Sequence, residues 1–364
     1  MAVLTMIGAV SPFAIQADLI GAYNQDANYK LDNSWDTYFT ADFIYWNLRQ
    51  DSMRTGNLVT PSSLGALGFL NGTNETLFNS GKYKPGIQVG FGFDMNGMDG
   101  WDLYFGYTWY QNKESNTANA KSDEGIVFSF AEDGAPLGIT NDIVVADSIT
   151  SKSQYYFNGF DFLLQRPFYF GRKLIANFGV GLKGLWISQT ITNSATGVSS
   201  YLVGTAAVGA TLPEAGITFQ QRLWGIGPKF ELGTNWILGR GFKIMANMAE
   251  SVLYTRYITL TGLPVGGVTE GIVADLSTTI SSRSGACSTP SYNYDTLRAV
   301  TETSLGLGWG SYFGDDNDFH LDITASYEFN IYWNQNMYGM VVNGNGSSGN
   351  TYLQGLNIAA RFDF

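Results

Sequence analysis

The strongest constraint on the fold is a strict two-residue alternation of apolar and polar side chains, clearest in FHLDITASYEFNIYW, residues 319–333. Phe319 and Ile323 belong to the apolar series, whereas His320 and Asp322 belong to the polar series. Successive side chains of an extended chain point to opposite faces, so a period of two predicts a β-strand. The apolar face of such a strand meets either a protein core or, in a membrane barrel, the lipid.

Nine more segments show the same alternation, and the chain is therefore predicted to be all-β. Several of the ten run to about ten residues or more, close to the ~9–11 residues of a tilted strand that crosses a bilayer. Strands of soluble proteins average only ~5–6 residues. The ten segments are WDTYFTADFIYW (35–46), GIQVGFGFD (86–94), WDLYFGYTWY (101–110), YYFNGFDFLL (155–164), KLIANFGVGLKGLW (173–186), LWGIGPKFEL (223–232), GFKIMANMA (241–249), LRAVTETSLGLGW (297–309), FHLDITASYEFNIYW (319–333) and LQGLNIAARFDF (353–364).

The connections between these segments alternate in length. Short turns follow the second, fourth, sixth and eighth segments, and long polar loops follow the first, third, fifth, seventh and ninth. This parity is typical of an outer-membrane barrel, which has short periplasmic turns and longer extracellular loops. The short turns are MNGMDG, RPFYFGR, TNWILGRG and FGDDND.

Composition argues against several other classes of protein. Charged residues make up 14% of the chain and aromatic residues 15%. A composition low in charge and rich in aromatic residues could indicate transmembrane helices, but no internal stretch approaches the ~20 apolar residues that a spanning helix needs. The net charge of −11 argues against nucleic acid, which would require a basic face. A soluble sandwich would have to expose the glycine-rich and charged faces of the strands, and it is the less favoured all-β alternative.

The sequence thus predicts a transmembrane antiparallel up-and-down β-barrel with at least ten and up to about 16 strands. The upper figure allows for β-branched runs in three loops, which could hold extra hairpins or fold into the pore. These loops lie near residues 125–146, 201–211 and 260–279.

The first residues predict a processing signal rather than a part of the barrel. Met1–Ala17 is uncharged and ends in AIQA, which is typical of a signal peptide cleaved after a small residue. The basic flank of such a signal is missing, and a buried first strand or helix is the alternative. Residues 18–364 would then form a single barrel domain.

Three stretches carry a resemblance to a known family. YFTADFIYWNLRQDSM, GIQVGFGFDMNGMDGWDLYFGYTWY and GFDFLLQRPFYFGRKLIANFGVGLKGLWISQ are together similar to the pore-forming outer-membrane proteins of Legionella and chlamydia-like bacteria. These proteins are loosely akin to the chlamydial major outer-membrane protein. Phe364, which ends the last alternating segment, resembles the assembly signal of outer-membrane barrels. The resemblance implies a diffusion channel in the bacterial outer membrane.

The single cysteine departs from the chlamydial pattern, in which many cysteines crosslink the envelope. Cys287 lies in the loop segment SGACSTP and has no second cysteine in the chain to pair with. We therefore expect a free thiol, and an intermolecular disulfide is the alternative in an oxidising compartment.

Charged residues of the polar series are the candidates for the pore lining, because charges at a constriction bias which ions enter. Acidic residues outnumber basic ones in this series, which predicts a weak cation preference. The alternative is that these charges pair across the lumen and only stabilise it, since a small barrel can be filled by its own side chains. The candidates are Asp42, Asp94, Asp102, Asp161, Lys183, Lys229, Glu231, Lys243, Arg298, Glu302, His320, Asp322, Glu328 and Arg361.

Large aromatic residues of the apolar series are candidates for the girdles at the two membrane interfaces. Two of them bracket the third segment at about the separation of the interfaces. The girdle candidates are Trp101, Trp109, Trp224 and Trp309.

Three motifs with catalytic or ligand-binding potential were weighed against simpler interpretations. His320 and Asp322 share the inward face and resemble the His/Asp pair of the omptin proteases, but His320 directly follows a short turn and so belongs at the periplasmic end. GVGLKG matches a dinucleotide fingerprint, yet it lies within a strand instead of opening a helix. The turn GDDND could hold a cation, although a solvated turn is favoured. The sequence thus indicates no catalytic, cofactor-binding or metal-binding residue.

Together these patterns predict a porin-like outer-membrane channel for passive diffusion of small hydrophilic solutes and ions. A structural or adhesive surface barrel with a plugged lumen is the first alternative, and a barrel hydrolase is the second. The expected partners are outer-membrane lipid, lipopolysaccharide and small hydrophilic solutes. A homo-oligomer is left open.

Overall fold

In the computed structural model, the described residues form fourteen β-strands and one short π-helix. The described ranges are 27–31, 35–51, 53–59, 75–78, 81–95, 100–120, 125–127, 142–202, 208–265, 294–314, 318–343 and 348–364. The strands are β1 (Thr37–Gln50), β2 (Arg54–Val59), β3 (Glu75–Phe78), β4 (Tyr83–Met95), β5 (Trp101–Asn119), β6 (Gly125–Val127), β7 (Asp142–Val145), β8 (Ser148–Phe170), β9 (Leu174–Leu202), β10 (Val208–Gly239), β11 (Phe242–Val265), β12 (Tyr294–Phe313), β13 (Phe319–Asn336) and β14 (Gly349–Asp363), and the π-helix is Gly339–Asn343.

Ten long strands form a closed antiparallel ring. Each of β1, β4, β5 and β8 to β14 pairs with the ring strand before and after it, and β14 pairs with β1 to close the circle. All ten alternating segments of the sequence lie in these strands, which confirms the predicted up-and-down barrel. The other strands stay outside the ring: β2, β3 and β6 form a small separate sheet, and β7 extends the edge of β9. The ring therefore has ten strands, the lower limit of the predicted range.

The register around the ring defines the tilt of the strands. When pairing is followed from Trp109 on β5 through the other ring strands in turn, it reaches Phe170 on β8. The direct partner of Trp109 on β8 is Asn158, twelve residues from Phe170. For ten strands, such a stagger implies a tilt of about 40° from the barrel axis.

Short connections follow β4, β8, β10 and β12, the strands after which the sequence predicts short turns, and they define one end of the barrel. Most of RPFYFGR and TNWILGRG is strand rather than turn, because β8 continues to Phe170 and β10 to Gly239. In the turn between β10 and β11, Arg240 and Gly241 have φ angles of 54° and 82°. Two successive positive φ values are typical of a type I′ hairpin turn, whose twist matches that of the paired strands. Both chain ends of the ring, at the start of β1 and the end of β14, lie on this same side, which we call the turn side, opposite the loop side.

One long loop of the prediction is wrong. The connection after the fifth segment is mostly strand, because β9 and β10 span 29 and 32 residues and stay paired as far as Tyr201 and Val208. In this region the alternation is reversed: Ile187 and Ile191 are buried inside, and polar side chains such as Thr190 occupy the outer face. The reason is that strands rising above the bilayer meet water on their outer face.

Within the membrane region, the apolar series faces outward, as the prediction requires. Phe43, Phe230 and Leu305 are 48%, 56% and 64% exposed, respectively, whereas Lys183 and Asp322 are buried inside the ring. Outward apolar and inward polar side chains are the pattern of a barrel in lipid. None of the helical structure in the described residues is long and apolar enough to cross a membrane.

Candidate functional site in the barrel interior

The predicted pore-lining side chains all point into the barrel. They do not form one continuous lining, because eleven of the fourteen separate into two groups at different heights. A central cluster comprises Asp161, Lys183, Lys229, Glu231 and Glu302. A mouth cluster near the turn side comprises Tyr29, Tyr38, Asp94, Asp102, Lys243, His320, Asp322, Arg361 and Asp363. Asp42 and Glu328 lie beside the central cluster, and Arg298 lies nearer the loop side. The role of all fourteen in conduction stays a prediction.

The central cluster is an ion-pair network that reaches across the lumen. Lys183 Nζ lies 3.2 Å from Asp161 and 2.8 Å from Glu302. Lys229 Nζ lies 2.9 Å from each of the same two carboxylates and 3.7 Å from Glu231. Glu302 belongs to β12, which is not adjacent to β9 or β10, so these contacts bridge non-neighbouring strands. The two lysines are thus fully paired, as the alternative interpretation of the charges requires.

Two further carboxylates in the same layer contact only neutral donors among the described residues. The amide of Asn357 donates to Glu328 over 2.6 Å and to Asp42 over 3.3 Å. The indole of Trp46 donates to the second oxygen of Glu328 over 3.0 Å. No described basic side chain therefore pairs with Asp42 or Glu328 at that point.

The mouth cluster is held together by a segment that the sequence analysis did not single out. Residues 27–31 lie inside the turn-side opening, where the amide of Ala27 donates to the Pro167 carbonyl over 3.2 Å. The Tyr29 hydroxyl donates to Asp322 over 2.8 Å, and its ring stacks on His320 at 3.8 Å between centroids. Burial raises the pKa of Tyr29 well above its usual range, so its hydroxyl stays a donor at neutral pH.

His320 and Asp322, which the sequence places on one face, do not contact each other as a His/Asp pair. His320 Nδ1 lies 3.0 Å from Asp363 on the neighbouring strand, whereas Asp322 pairs with Lys243 and accepts the Tyr29 hydroxyl hydrogen bond. The reason is geometric, since residues two apart on one strand point the same way but meet different cross-strand partners. His320 is 3% exposed beneath Tyr29, so a substrate has no access to it in this conformation.

A cavity of about 400 Å³ lies between the two clusters. Seven carboxylates and four basic side chains line it, counting the described residues. Asp42 Oδ1 and Asp322 Oδ1 are buried without a hydrogen-bond partner among these residues. Buried carboxylate oxygens require a donor, and a polar cavity of this size has room for water molecules that could supply it.

On the loop side of the cavity the interior becomes apolar, which corrects the expectation of a polar face along the whole lumen. A buried cluster, here called the apolar plug, receives side chains from every ring strand except β4. Trp46, Phe157 and Tyr332 are each 2% exposed or less. The sequence carries a signal for it, because the segment YYFNGFDFLL is apolar on both faces. Residues of the plug include Ile44, Trp46, Leu48, Tyr110, Tyr155, Phe157, Leu185, Ile187, Ile191, Phe219, Leu223, Leu253, Tyr257, Val300, Tyr332, Met337, Tyr338 and Leu353.

The segment after β13 enters the lumen and completes the plug. Tyr338 accepts a 2.7 Å hydrogen bond from Asn193 on β9, and the amide of Met337 donates to Gln221 on β10 over 2.9 Å. Gln221 in turn donates to the Gln335 carbonyl over 3.2 Å. Arg298, a predicted pore-lining residue, lies beside this segment, with its guanidinium 3.4 Å from the Met337 sulfur.

Outside the barrel, the tryptophans form two rows. Trp101, Trp236 and Trp309 lie beside the short turns, and we call them the turn-side row. Trp186, Trp224 and Trp333 form the loop-side row, in which Trp186 and Trp224 are direct cross-strand partners. Of the girdle candidates, Trp101 and Trp309 thus lie in one row and Trp224 in the other, while Trp109 stands eight residues from Trp101 along β5.

The spacing of the rows matches a bilayer. Trp224 and Trp236 are twelve residues apart on β10, which is about 40 Å along the strand. With a tilt of about 40°, their separation along the barrel axis is about 30 Å, the thickness of the hydrocarbon core.

GVGLKG lies inside β9, as expected for a strand. Cys287 and the signal-peptide region Met1–Ala17 lie outside the described residues, as do the three central residues of the GDDND turn. Among the described residues, no group of three or more His, Cys, Asp or Glu side chains is placed to hold a metal ion.

A closed ten-stranded ring with an apolar exterior defines the class of protein, a bacterial outer-membrane β-barrel. The chain belongs to the family of the Legionella pneumophila major outer membrane protein precursor, whose family model matches residues 30–364. No curated protein sequence matches the chain significantly.

Three solved structures show remote similarity. The Escherichia coli outer membrane protease OmpT is 11% identical, with 93% of this chain and 99% of that chain covered and a TM-score of 0.41. The Pseudomonas putida toluene transporter TodX is 9% identical, with 92% and 91% covered and a TM-score of 0.20. A Pseudomonas aeruginosa FadL homologue is 9% identical, with 90% and 89% covered and a TM-score of 0.22. Similarity at this level carries no information on activity.

Proposed function

We propose that the protein is an outer-membrane channel for small hydrophilic solutes and ions, closed in the conformation described here. Conduction is passive, with a weak preference for cations, and the chain performs no covalent chemistry. The observation that carries the proposal is the cavity of about 400 Å³ at mid-barrel, which is lined by charged side chains. Burying charged side chains at membrane depth is costly, and such residues commonly mark the path of a solute or ion.

The two closures of this cavity support gating, because each includes a segment outside the ring. Residues 27–31 close the turn side and contact the barrel through Tyr29. Residues 337–341 complete the apolar plug on the loop side. Either segment can leave the lumen without breaking a strand pairing of the ring. Departure of residues 337–341 removes Met337 and Tyr338 from the plug and so widens the space for water and ions between the remaining inward side chains.

A plugged structural or adhesive barrel is the second candidate, and the apolar plug favours it. Nine of the ten ring strands contribute side chains to the plug, so its closure does not depend on the 337–341 segment alone. A barrel of this kind would present its loops outside and conduct nothing.

Planar-bilayer recording of the purified protein separates the two candidates. We compare wild type with a Met337→Ser/Tyr338→Ser variant, which makes the entering segment polar, and with Tyr352→Ser as a matched control on the outer face of β14. A channel gives unitary steps whose open probability rises several-fold in the double variant and not in the control. Silence in both the wild type and the double variant, with heat-modifiable folded protein on gels, would establish the plugged barrel and end the channel proposal.

A further inference from the structure

The outer face of β5, β8 and β9 changes from apolar to polar just beyond the loop-side tryptophan row. Toward the turn side, outward residues such as Phe105 and Leu182 are apolar and exposed. Beyond the row, as far as the level where Ser148 pairs with its neighbours on β5 and β9, the outward positions carry Ser, Thr, Asn or Gln, apart from one tyrosine and two lysines. The two lysines, Lys113 and Lys152, are here called the lysine patch.

The two lysines are neighbours on one surface. Lys113 pairs with Gln154 across the β5–β8 ladder, and Lys152 pairs with Ser115. They are therefore diagonal neighbours, about 7–8 Å apart at the backbone, and both side chains are exposed. Two ammonium groups on flexible stems at this spacing can contact the same phosphate group or two adjacent ones.

No acidic side chain of the described residues balances the lysine patch. Neither lysine forms an ion pair with a described carboxylate, and the outward positions beyond the row on these three strands include no Asp or Glu. Arg256, which also faces outward, is different, because Asp295 accepts hydrogen bonds of 2.7 and 2.8 Å from its guanidinium. An unbalanced positive patch on a chain with a net charge of −11 is complementary to an anion carried by another molecule.

The height of the lysine patch places it among lipid headgroups. The pairing of β5, β8 and β9 sets Lys113 four residues and Lys152 six residues beyond Trp186 of the loop-side row. With the strand tilt included, these positions are about 5 Å and about 12 Å beyond Trp186 along the barrel axis. The loop side of an outer-membrane barrel faces the cell exterior, so the patch lies in the headgroup layer of the outer leaflet.

An aromatic surface lies directly below the patch. The Trp186 ring packs against Phe160 at 5.5 Å between centroids, and the Lys113 ammonium lies over the Tyr156 ring at 5.5 Å. Aromatic side chains at this level contact the upper part of the acyl chains. The same face therefore offers positive charge above and apolar surface below, which suits an amphiphile with an anionic headgroup.

We propose that the lysine patch binds the phosphorylated glucosamine headgroup of lipopolysaccharide. Lys113 and Lys152 contact its phosphate groups through charge-assisted hydrogen bonds, and its acyl chains lie on Phe160 and Trp186. Lipopolysaccharide is the anionic lipid of the outer leaflet, and this contact would hold one molecule at a defined place on the barrel. The site does not depend on whether the lumen conducts.

Native mass spectrometry of the folded protein in detergent, titrated with bis-phosphorylated lipid A, tests the site. Lys113→Gln/Lys152→Gln should weaken binding about tenfold, whereas Lys113→Arg/Lys152→Arg should bind like wild type. Arg172→Gln/Lys173→Gln is the matched control, because it removes two adjacent positive charges from an exposed turn on the turn side and should change nothing. Equal binding by all four proteins, or binding of dephosphorylated lipid A or phosphatidylglycerol to wild type as tight as that of lipid A, would overturn the proposal.

A fluorescent label tests the position of the lipid. In a Cys287→Ser background, Gln154→Cys carries an environment-sensitive dye between the two lysines, and Arg172→Cys carries the same dye on the turn side. Lipid A should shift the emission of the first dye to shorter wavelength and leave the second unchanged. The shift should be lost when both lysines are replaced by Gln. A shift that persists without the lysines, or that is equal at the two labels, would refute the site.

Discussion

At the scale of single residues, the inward charges are more predictable than their partners. Alternation alone assigns Asp161, Lys183 and Lys229 to the interior, because side-chain direction is a local property of a strand. Their mutual ion pairs depend on the register between strands and on which strands face each other across the lumen. The same holds for His320, whose partner is Asp363 and not its near neighbour in sequence, Asp322.

The central cluster makes a stability prediction. Replacing Lys229 with Met leaves the Asp161 and Glu302 carboxylates buried with one lysine between them, and we expect the free energy of unfolding to fall by ~3–5 kcal/mol. Urea unfolding in lipid vesicles measures it. Lys113→Met is the matched control, since that ammonium lies outside over the Tyr156 ring at 5.5 Å, and its removal should change stability by no more than ~0.5 kcal/mol. Equal effects of the two substitutions would show that the central ion pairs do not contribute to the free energy of unfolding.

At the scale of elements, the position of residues 27–31 over His320 can be tested by chemical modification of that histidine. His320 is the single histidine of the chain and lies beneath Tyr29. In Tyr29→Ala, we expect diethyl pyrocarbonate to modify His320 several-fold faster than in wild type, because the covering ring is gone. Mass spectrometry follows the modification. The control is Tyr45→Ala, which removes an outward tyrosine and should leave the rate unchanged; a slow reaction in both variants would show that residues 27–31 do not cover the histidine.

The reversed alternation of β9 and β10 is also a property of elements. In the membrane these strands are apolar outside, and above it they are polar outside and apolar inside, as Ile191 shows. A two-residue period indicates a strand in both regions. The strand face that meets water is the inner face within the membrane and the outer face above it. For this reason the sequence alone predicts a loop where the structure has the upper hairpin.

At the scale of the whole molecule, Asp42 and Glu328, which pair with no described basic side chain, predict a preference for cations. This prediction depends on the channel proposal. Neutralising Asp42 and Glu328 together as Asn and Gln should bring the cation-to-anion permeability ratio closer to one, because the net negative charge of the cavity falls. Reversal potentials in a potassium chloride gradient measure this ratio. Asp295→Asn is the control, since Asp295 pairs with Arg256 on the outer face. An unchanged permeability ratio in the double variant would show that the cavity does not lie on the permeation path.

The sequence by itself determined the class of fold, the ten spanning segments, the side of the short turns and the direction of almost every side chain within the membrane. These properties are local, since each depends on the two-residue period of one strand and on the solvent that its faces meet. The tertiary structure alone decided that the ring closes at ten strands, that residues 27–31 and 337–341 enter the lumen, and that the interior becomes an apolar plug above a charged cavity. It also placed Lys113 and Lys152 as diagonal neighbours on the outer face of β5 and β8. These properties depend on contacts between residues far apart in the chain, which register and ring closure bring together.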